Sequence, residues 1–239
     1  MVKKSFHISC CRHYYSGLFK RIPRFDTDLN SSSDIRRIMS DPILFLGQQT
    51  DILEIVAMVT GVIAVWLTAK NNIWCFPVGI INVCLYAFLF FSPAIRLYAD
   101  GGLQLVYIVL LGYGWFNWKK INAISSKANI TRLPLHSILK LSVITVFATL
   151  LLGYLLKNYT DASFPFIDSL LTSASLVAQW MIAKKYLENW IVWIIADIIY
   201  IPIYISKNLP LTAVLYFIFL GLAIVGFIDW RKNIRPYAA

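Results

Sequence analysis

The chain has 239 residues, of which 59% are hydrophobic and 14% are charged, and its formal net charge is +10. Soluble globular domains carry about 25% charged residues, so this composition excludes an ordinary soluble protein and predicts an integral membrane protein. The basic residues cluster beside apolar runs, as cytoplasmic loops and lipid headgroups require. The positive charge therefore indicates membrane lipid as a partner, and no nucleic acid.

Residues 1–50 are predicted to form a polar, basic N-terminal tail. The first 25 residues contain six Lys or Arg, no Asp or Glu, and no apolar core of the kind that a secretory signal needs. We interpret the tail as disordered, or as an upstream extension of a reading frame that starts at Met39. An organellar transit peptide is the remaining alternative for a start rich in Arg and poor in acids.

Seven charge-poor apolar runs follow, and each is a candidate membrane-spanning helix. They cover residues 52–69, 73–95, 101–118, 138–156, 164–183, 189–206 and 208–228. The predicted fold class is an all-α integral membrane protein with seven transmembrane helices. The predicted domains are a three-helix repeat at 51–120, a linker with a linking helix at 121–160, a second three-helix repeat at 161–232 and a C-terminal tail at 233–239.

Two pairs of matching segments predict the repeat. EIVAMVTGVIAVWLTAK at 54–70 and DSLLTSASLVAQWMIAK at 168–184 both place an acid twelve residues before a Trp that opens W-x-x-A-K. GWFNWKK at 114–120 likewise matches GFIDWRK at 226–232. The fourth run has no counterpart, and an odd helix between two three-helix units gives both units the same direction. The prediction is therefore a 3+1+3 arrangement of parallel repeats, a transporter architecture.

The distribution of Lys and Arg predicts the orientation. With the N-terminus outside, the cytoplasmic segments 70–72, 119–140, 184–188 and the tail after 230 contain eleven Lys or Arg. The opposite loops contain three: Arg96, Lys157 and Lys207. The positive-inside rule therefore predicts an external N-terminus and a cytoplasmic C-terminus.

Asp197 is the only charged residue in the run 189–206 and lies near its middle. A carboxylate at the bilayer centre costs about 2.5–3.5 kcal/mol on insertion scales, so an interaction must offset that cost. At about 100° per residue, Asp197 shares one helix face with Trp190, Trp193, Tyr200 and Tyr204. A carboxylate among aromatic rings predicts a site for a cationic aromatic ligand. Alternatively, the outermost aromatic residues are interfacial anchors and Asp197 pairs with a neighbouring helix.

The motif W-x-x-W-x-x-x-[ND], here at 190–197, resembles the signature of the PnuC family of vitamin transporters. The resemblance extends to NNIWCFPVGIINVCLY at 71–86, LYADGGLQLVYIVLLGYGWFNW at 97–118 and FPFIDS at 164–169, and covers about residues 50–232. It implies a seven-helix core similar to that of the SWEET sugar carriers, often homotrimeric. It also implies facilitated diffusion of nicotinamide riboside, or of thiamine in some relatives, with intracellular phosphorylation trapping the vitamin. Many nicotinamide riboside members carry Asn where this chain has Asp197.

The internal symmetry places the other wall of the site on the second and third runs. Their polar residues near the middle are Asn82, followed by Tyr86, and Gln104, followed by Tyr107. The predicted substrate-binding residues are Asn82, Gln104, Trp190, Trp193, Asp197 and Tyr200. Four other tryptophans are interpreted as interfacial anchors: Trp74, Trp115, Trp118 and Trp230.

The predicted function is uptake of nicotinamide riboside across the bacterial inner membrane by facilitated diffusion. Thiamine transport by the same site is the first alternative, and a structural or assembly protein is the second. No catalytic residue, metal ligand or cofactor is predicted, because the sequence has no G-x-S-x-G, no H-E-x-x-H and no second acid in the middle of a run. A Walker A sequence, which a primary pump requires, is also absent. Coupling to protons through Asp197 remains open.

Overall fold

The structure is a computed structural model that describes residues 43–45, 48–50, 52–91, 98–124, 130–160, 164–206 and 209–234. Most of the predicted tail, residues 1–42, lies outside these ranges, as do residues 235–239. The strands β1 (Ile43–Phe45) and β2 (Gln48–Thr50) pair antiparallel within the segment that we assigned to the tail. The expectation of an all-α chain missed this pair, since three-residue strands carry almost no periodic signal.

Seven helices make up most of the described chain. They are α1 (Ile52–Ala69), α2 (Cys75–Phe91), α3 (Tyr98–Ile124), α4 (Leu135–Tyr159), α5 (Pro165–Ala183), α6 (Asn189–Ser206) and α7 (Pro210–Lys232). Their number and order agree with the seven predicted runs. Five of them, α1 and α4–α7, are long and apolar enough to cross a membrane, whereas α2 is a shorter apolar helix. Helix α3 extends beyond the predicted run at both ends because Asp100 and the polar turn after Trp118 remain helical.

Two turns of similar shape connect α1 to α2 and α5 to α6. Asn71 and Lys185 adopt left-handed backbone angles, with φ of 51° and 59°. Each residue stands five positions after the Trp of a W-x-x-A-K segment and donates its backbone N–H to a carbonyl three residues earlier, over 2.9 Å. Asn tolerates this conformation better than most residues, whereas Lys is uncommon in it. The two turns therefore share their geometry although their residues differ.

The helices form two three-helix segments that exchange contacts. We call α1–α3 the first segment and α5–α7 the second segment. Helix α1 packs against α7, and α3 packs against α5, so the first helix of each segment contacts the third helix of the other. Helix α4 packs mainly on α5 and is otherwise exposed, with apolar side chains over much of its length. Such a surface suits contact with lipid.

Two buried tryptophans hold the exchanged contacts together. The Nε1 atom of Trp118 donates to the carbonyl of Ile182 over 3.0 Å, and Nε1 of Trp230 donates to the carbonyl of Thr68 over 3.1 Å. Both indoles are at most 1% exposed. The interpretation of Trp118 and Trp230 as interfacial anchors is therefore wrong: both are core residues that satisfy carbonyls near helix ends. Trp74, by contrast, is 65% exposed.

Candidate functional site

A cavity of about 290 Å³ lies between the two segments. Side chains of α1, α2 and α3 form one wall, and side chains of α5, α6 and α7 form the other. Its polar lining consists of Thr68, Asn82, Tyr86, Gln104, Tyr107, Gln179, Asp197 and Tyr216, and its other aromatic lining of Phe76, Trp190, Trp193 and Phe219. Ligand sites of small molecules begin at roughly 300 Å³, so the cavity is of a size for a nucleoside or a small vitamin.

Five of the six predicted binding residues line this cavity. Asn82 and Gln104 lie on the wall of the first segment, whereas Trp190, Trp193 and Asp197 lie on that of the second. Tyr200, the sixth, is not among the lining residues. Its ring packs against that of Tyr216, which does line the cavity, with a centroid distance of 4.7 Å.

Asp197 is buried in the wall of the second segment, with 3% of its surface exposed. Within the described residues, Lys70 pairs with Asp229 at 2.8 Å, whereas Asp197 forms no ion pair with a Lys or Arg. A charged carboxylate in a low-dielectric site is stabilised by a positive charge that enters the site. The arrangement is therefore suited to a cationic ligand.

Trp190 occupies a space that a glycine of α7 provides. Its indole stands edge-on against Trp230, with centroids 5.5 Å apart and planes at 90°. A Cβ atom on Gly226 would lie 2.6 Å from the Trp190 ring, closer than real contacts allow. Within the described chain, Trp190 Nε1 is buried and has no hydrogen-bond partner. Because buried indole N–H groups usually find an acceptor, Trp190 offers an unused donor at this site.

Asn82 is held by the backbone of α1. Its Nδ2 atom donates to the carbonyl of Ala57 over 2.5 Å, with the Oγ1 atom of Thr60 at 3.4 Å. Since a carbonyl oxygen only accepts hydrogen bonds, the amide nitrogen must face α1, which leaves the Oδ1 atom as an acceptor for other groups. Gly61 keeps this contact open, because a Cβ there would stand 3.2 Å from Nδ2.

Several lining residues were not predicted, and Gln179 and Tyr216 are the most informative. Gln179 is 8% exposed and is an uncharged polar residue within an apolar run, a weak signal that periodicity alone does not distinguish from a helix-packing contact. Tyr216 stands 112 residues after Gln104, the same separation that relates Gly114 to Gly226. Applying the repeat to every residue of the third run would have identified Tyr216.

Aromatic rings and a lysine lie at the end of the cavity near the α5–α6 turn. Phe76, which lines the cavity there, stands edge-on against Trp118 with centroids 5.0 Å apart. Lys185 lies behind Trp118, with its Nζ atom 4.2 Å from the ring centroid and 3.1 Å from Asn122 Oδ1. Burial lowers the pKa of Lys185 to about 8, because desolvation disfavours the ammonium form. This end therefore combines the Phe76 and Trp118 rings with a buried cation.

The model of a family described as "Nicotinamide mononucleotide transporter" matches residues 51–232, which include all seven helices. The chain belongs to this family. The members are membrane transporters, so the chain is a multi-pass transport protein of the inner membrane, and the resemblance to the PnuC family seen in the sequence is confirmed.

Two relatives and one solved structure are similar to this chain over most of its length. The "Nicotinamide riboside transporter PnuC" of Escherichia coli is 26% identical over 219 residues, which cover 81% of this chain and 91% of that protein. The "Riboflavin/roseoflavin transporter RibM" of Streptomyces davaonensis is 22% identical over 204 residues, which cover 82% and 94%. A crystal structure of "the Vitamin B3 transporter PnuC" is 28% identical and superposes with a TM-score of 0.62 over 76% of this chain and 81% of that chain.

Proposed function

We propose that the protein carries nicotinamide riboside across the inner membrane by facilitated diffusion. One observation carries this proposal: a nucleoside-sized cavity between the two segments contains an aspartate, Asp197, without a basic partner in the described chain. Nicotinamide riboside carries a pyridinium ring, whose positive charge complements the carboxylate. Membership of the transporter family and the name of the E. coli relative support the same substrate.

The lining residues divide the recognition of such a substrate among them. The faces of Trp190 and Trp193 can stack on the pyridinium ring while Asp197 meets its charge. Asn82 Oδ1 can accept a hydrogen bond from a ribose hydroxyl or from the carboxamide. Gln104, on the same wall as Asn82, can both donate and accept. Tyr200 acts from behind Tyr216, without lining the cavity.

The two segments are proposed to be parallel repeats with α4 between them, in the 3+1+3 arrangement of SWEET carriers. The exchanged Trp–carbonyl hydrogen bonds and the two left-handed turns support this relation, because each feature occurs at matching positions of both segments. Rocking of one segment against the other would open the cavity to either side in turn. The loop charges support an external N-terminus and a cytoplasmic C-terminus. Assembly as a homotrimer is proposed from the family resemblance alone.

The charge at Asp197 also bears on which vitamin is carried. Thiamine has a cationic ring and satisfies the carboxylate equally well, but the names of the relatives do not favour it. Riboflavin has a neutral ring system and would leave the carboxylate unpaired. Nicotinamide mononucleotide, which the family description names, adds a phosphate whose negative charge would face a carboxylate at low dielectric. Nicotinamide riboside is therefore the best fit.

A ligand panel on the purified protein tests the proposal. Isothermal titration with nicotinamide riboside, nicotinamide mononucleotide, thiamine, riboflavin and nicotinic acid should show binding of the riboside and at least tenfold weaker binding of the mononucleotide, on the scale of about 1.4 kcal/mol per tenfold. Absence of binding by the riboside would refute the proposed substrate. Uptake into proteoliposomes should not change when an uncoupler collapses the proton gradient; a loss of uptake would indicate proton coupling instead.

A further inference from the structure

Three tyrosines form a compact stack beyond the cavity. Tyr216 of α7 packs against Tyr200 and Tyr204 of α6, with ring centroids 4.7 Å and 5.0 Å away, and the two α6 rings are 5.7 Å apart. The Tyr204 and Tyr216 side chains also share a hydrogen bond. Tyr216 lines the cavity, whereas Tyr200 and Tyr204 do not. We call these three residues the tyrosine stack.

The tyrosine stack lies on one side of Asp197 along α6. Tyr200 follows Asp197 by about one turn and Tyr204 by about two turns, toward the end of α6 at Ser206. Trp190, which packs edge-on against Trp230, lies in the opposite direction along the same helix. The carboxylate is therefore bracketed, with tryptophans toward one end of the bundle and the tyrosine stack toward the other. The stack lies toward the external end in the orientation proposed above.

We propose that the tyrosine stack is a second, outer binding subsite for organic cations bearing an aromatic ring, through which the substrate passes before it reaches Asp197. This inference rests on the proposed function, because it takes a cationic ring as the substrate. The faces of aromatic rings carry negative partial charge and attract a cation that lies over them. In the structure, each of the three tyrosine rings packs against the other two.

Such a subsite can distinguish cationic from neutral ligands, because a ligand ring takes the place of a tyrosine ring in the stack. An incoming pyridinium replaces a tyrosine face with a charged ring, so the stacking contact is retained and a cation–π attraction is added. A neutral ring of the same shape only exchanges one stacking contact for another.

Variants at Tyr204 test the subsite, since Tyr204 lies outside the cavity lining. Phe at 204 keeps the aromatic face and loses the hydroxyl contact with Tyr216, Leu removes the face, and Met removes it while filling a similar volume. The matched control is Tyr154→Leu, because Tyr154 on α4 is 62% exposed. The readouts are the initial rate of nicotinamide riboside uptake into proteoliposomes, the equilibrium affinity for the riboside, and inhibition of uptake by 1-methylnicotinamide (a pyridinium cation) compared with nicotinamide (its neutral analogue).

We expect Tyr204→Leu and Tyr204→Met to slow initial uptake about three- to tenfold, on the scale of one cation–π contact, and to weaken inhibition by 1-methylnicotinamide but not by nicotinamide. The equilibrium affinity of these two variants for the riboside should match that of the unmodified protein. Tyr204→Phe and Tyr154→Leu should match the unmodified protein in all three readouts. Equal slowing by Phe, Leu and Met, or no slowing by Leu and Met, would overturn the inference. Failure of the unmodified protein to bind the riboside would instead refute the proposed function.

Discussion

The first and second segments have the same framework and different cavity walls. In each, the third helix donates a Trp hydrogen bond to the first helix of the other segment, and a glycine four residues before that Trp accommodates a ring of the second helix. The positions that face the cavity differ. Where the second segment has Trp190, Trp193 and Asp197, the residues 114 positions earlier in the first are Phe76, Gly79 and Val83.

This difference separates the contacts that hold the two segments together from the residues that we propose to bind the ligand. Contacts that hold the segments together occur in both, as expected of surfaces that must fit each other in the same way on two sides. The charge and the two indoles occur in one segment only, and we propose that this is so because a small asymmetric ligand needs one carboxylate and one stacking face. The first segment supplies amide groups, Asn82 and Gln104, in place of charge.

The largest expected effect is loss of transport in Asp197→Leu, which removes the charge that distinguishes α6 from α2. Uptake of nicotinamide riboside should fall to background while the protein still inserts and elutes as a single species. Asp197→Asn should keep a hydrogen bond and lose the charge attraction, weakening binding by about 1–2 kcal/mol. Titration and proteoliposome uptake measure the two effects. Normal transport by Asp197→Leu would mean that the carboxylate only packs helices.

Gly226→Ala should give the next largest effect, because the added Cβ would overlap the Trp190 ring. Overpacking of this kind costs about 1–3 kcal/mol, and here it would also displace a wall of the cavity. The thermal unfolding temperature in detergent should fall, and the affinity for the riboside should become weaker.

The matched control is Gly221→Ala on the same helix, where no atom lies within 4 Å of the added Cβ. It should leave stability and binding unchanged. Equal losses in both variants would show that backbone effects, not the contact with Trp190, are responsible.

Trp118→Phe and Trp230→Phe should have intermediate and similar effects if the two segments are held in the same way. Each variant keeps an aromatic ring and loses one buried hydrogen bond to a carbonyl of the other segment, worth about 0.5–1.5 kcal/mol. The thermal unfolding temperature should fall by similar amounts in the two variants. A much larger loss in one of them would break the proposed symmetry between the segments.

A pH-dependent effect concerns Lys185, which occupies the left-handed turn where the first segment has Asn71. Burial lowers its pKa from 10.5 to about 8, so between these values the unfolded chain binds more protons than the folded one. The free energy of unfolding should therefore rise as pH increases from about 8 to 10.5. Lys185→Asn, which copies the first segment and suits a positive φ, should abolish that rise. Lys184→Asn, at the adjacent position, is the control and should retain it.

The helices and most of the candidate site could be predicted because they depend on local composition. Runs of apolar residues defined α1 and α6 to the residue, and the single acid in 189–206 directed attention to Asp197. Trp118 and Trp230 were misinterpreted for a physical reason: a Trp at the end of an apolar run looks the same whether it faces lipid headgroups or a neighbouring carbonyl. The strands β1 and β2 were too short for periodicity to reveal.

The sequence by itself determined the number and order of the helices, their apolar surfaces and the face that places Asp197 with Trp190 and Trp193. These properties follow from hydrophobicity and from the period of the helix, which each segment of chain expresses alone. Only the tertiary structure decided that Gln179 and Tyr216 line the cavity and that Tyr200 stands behind it. It also decided that Gly114 and Gly226 leave room for rings of the second helix of their segments. Such assignments depend on which helices meet and how closely, and that is set by packing between residues more than a hundred positions apart.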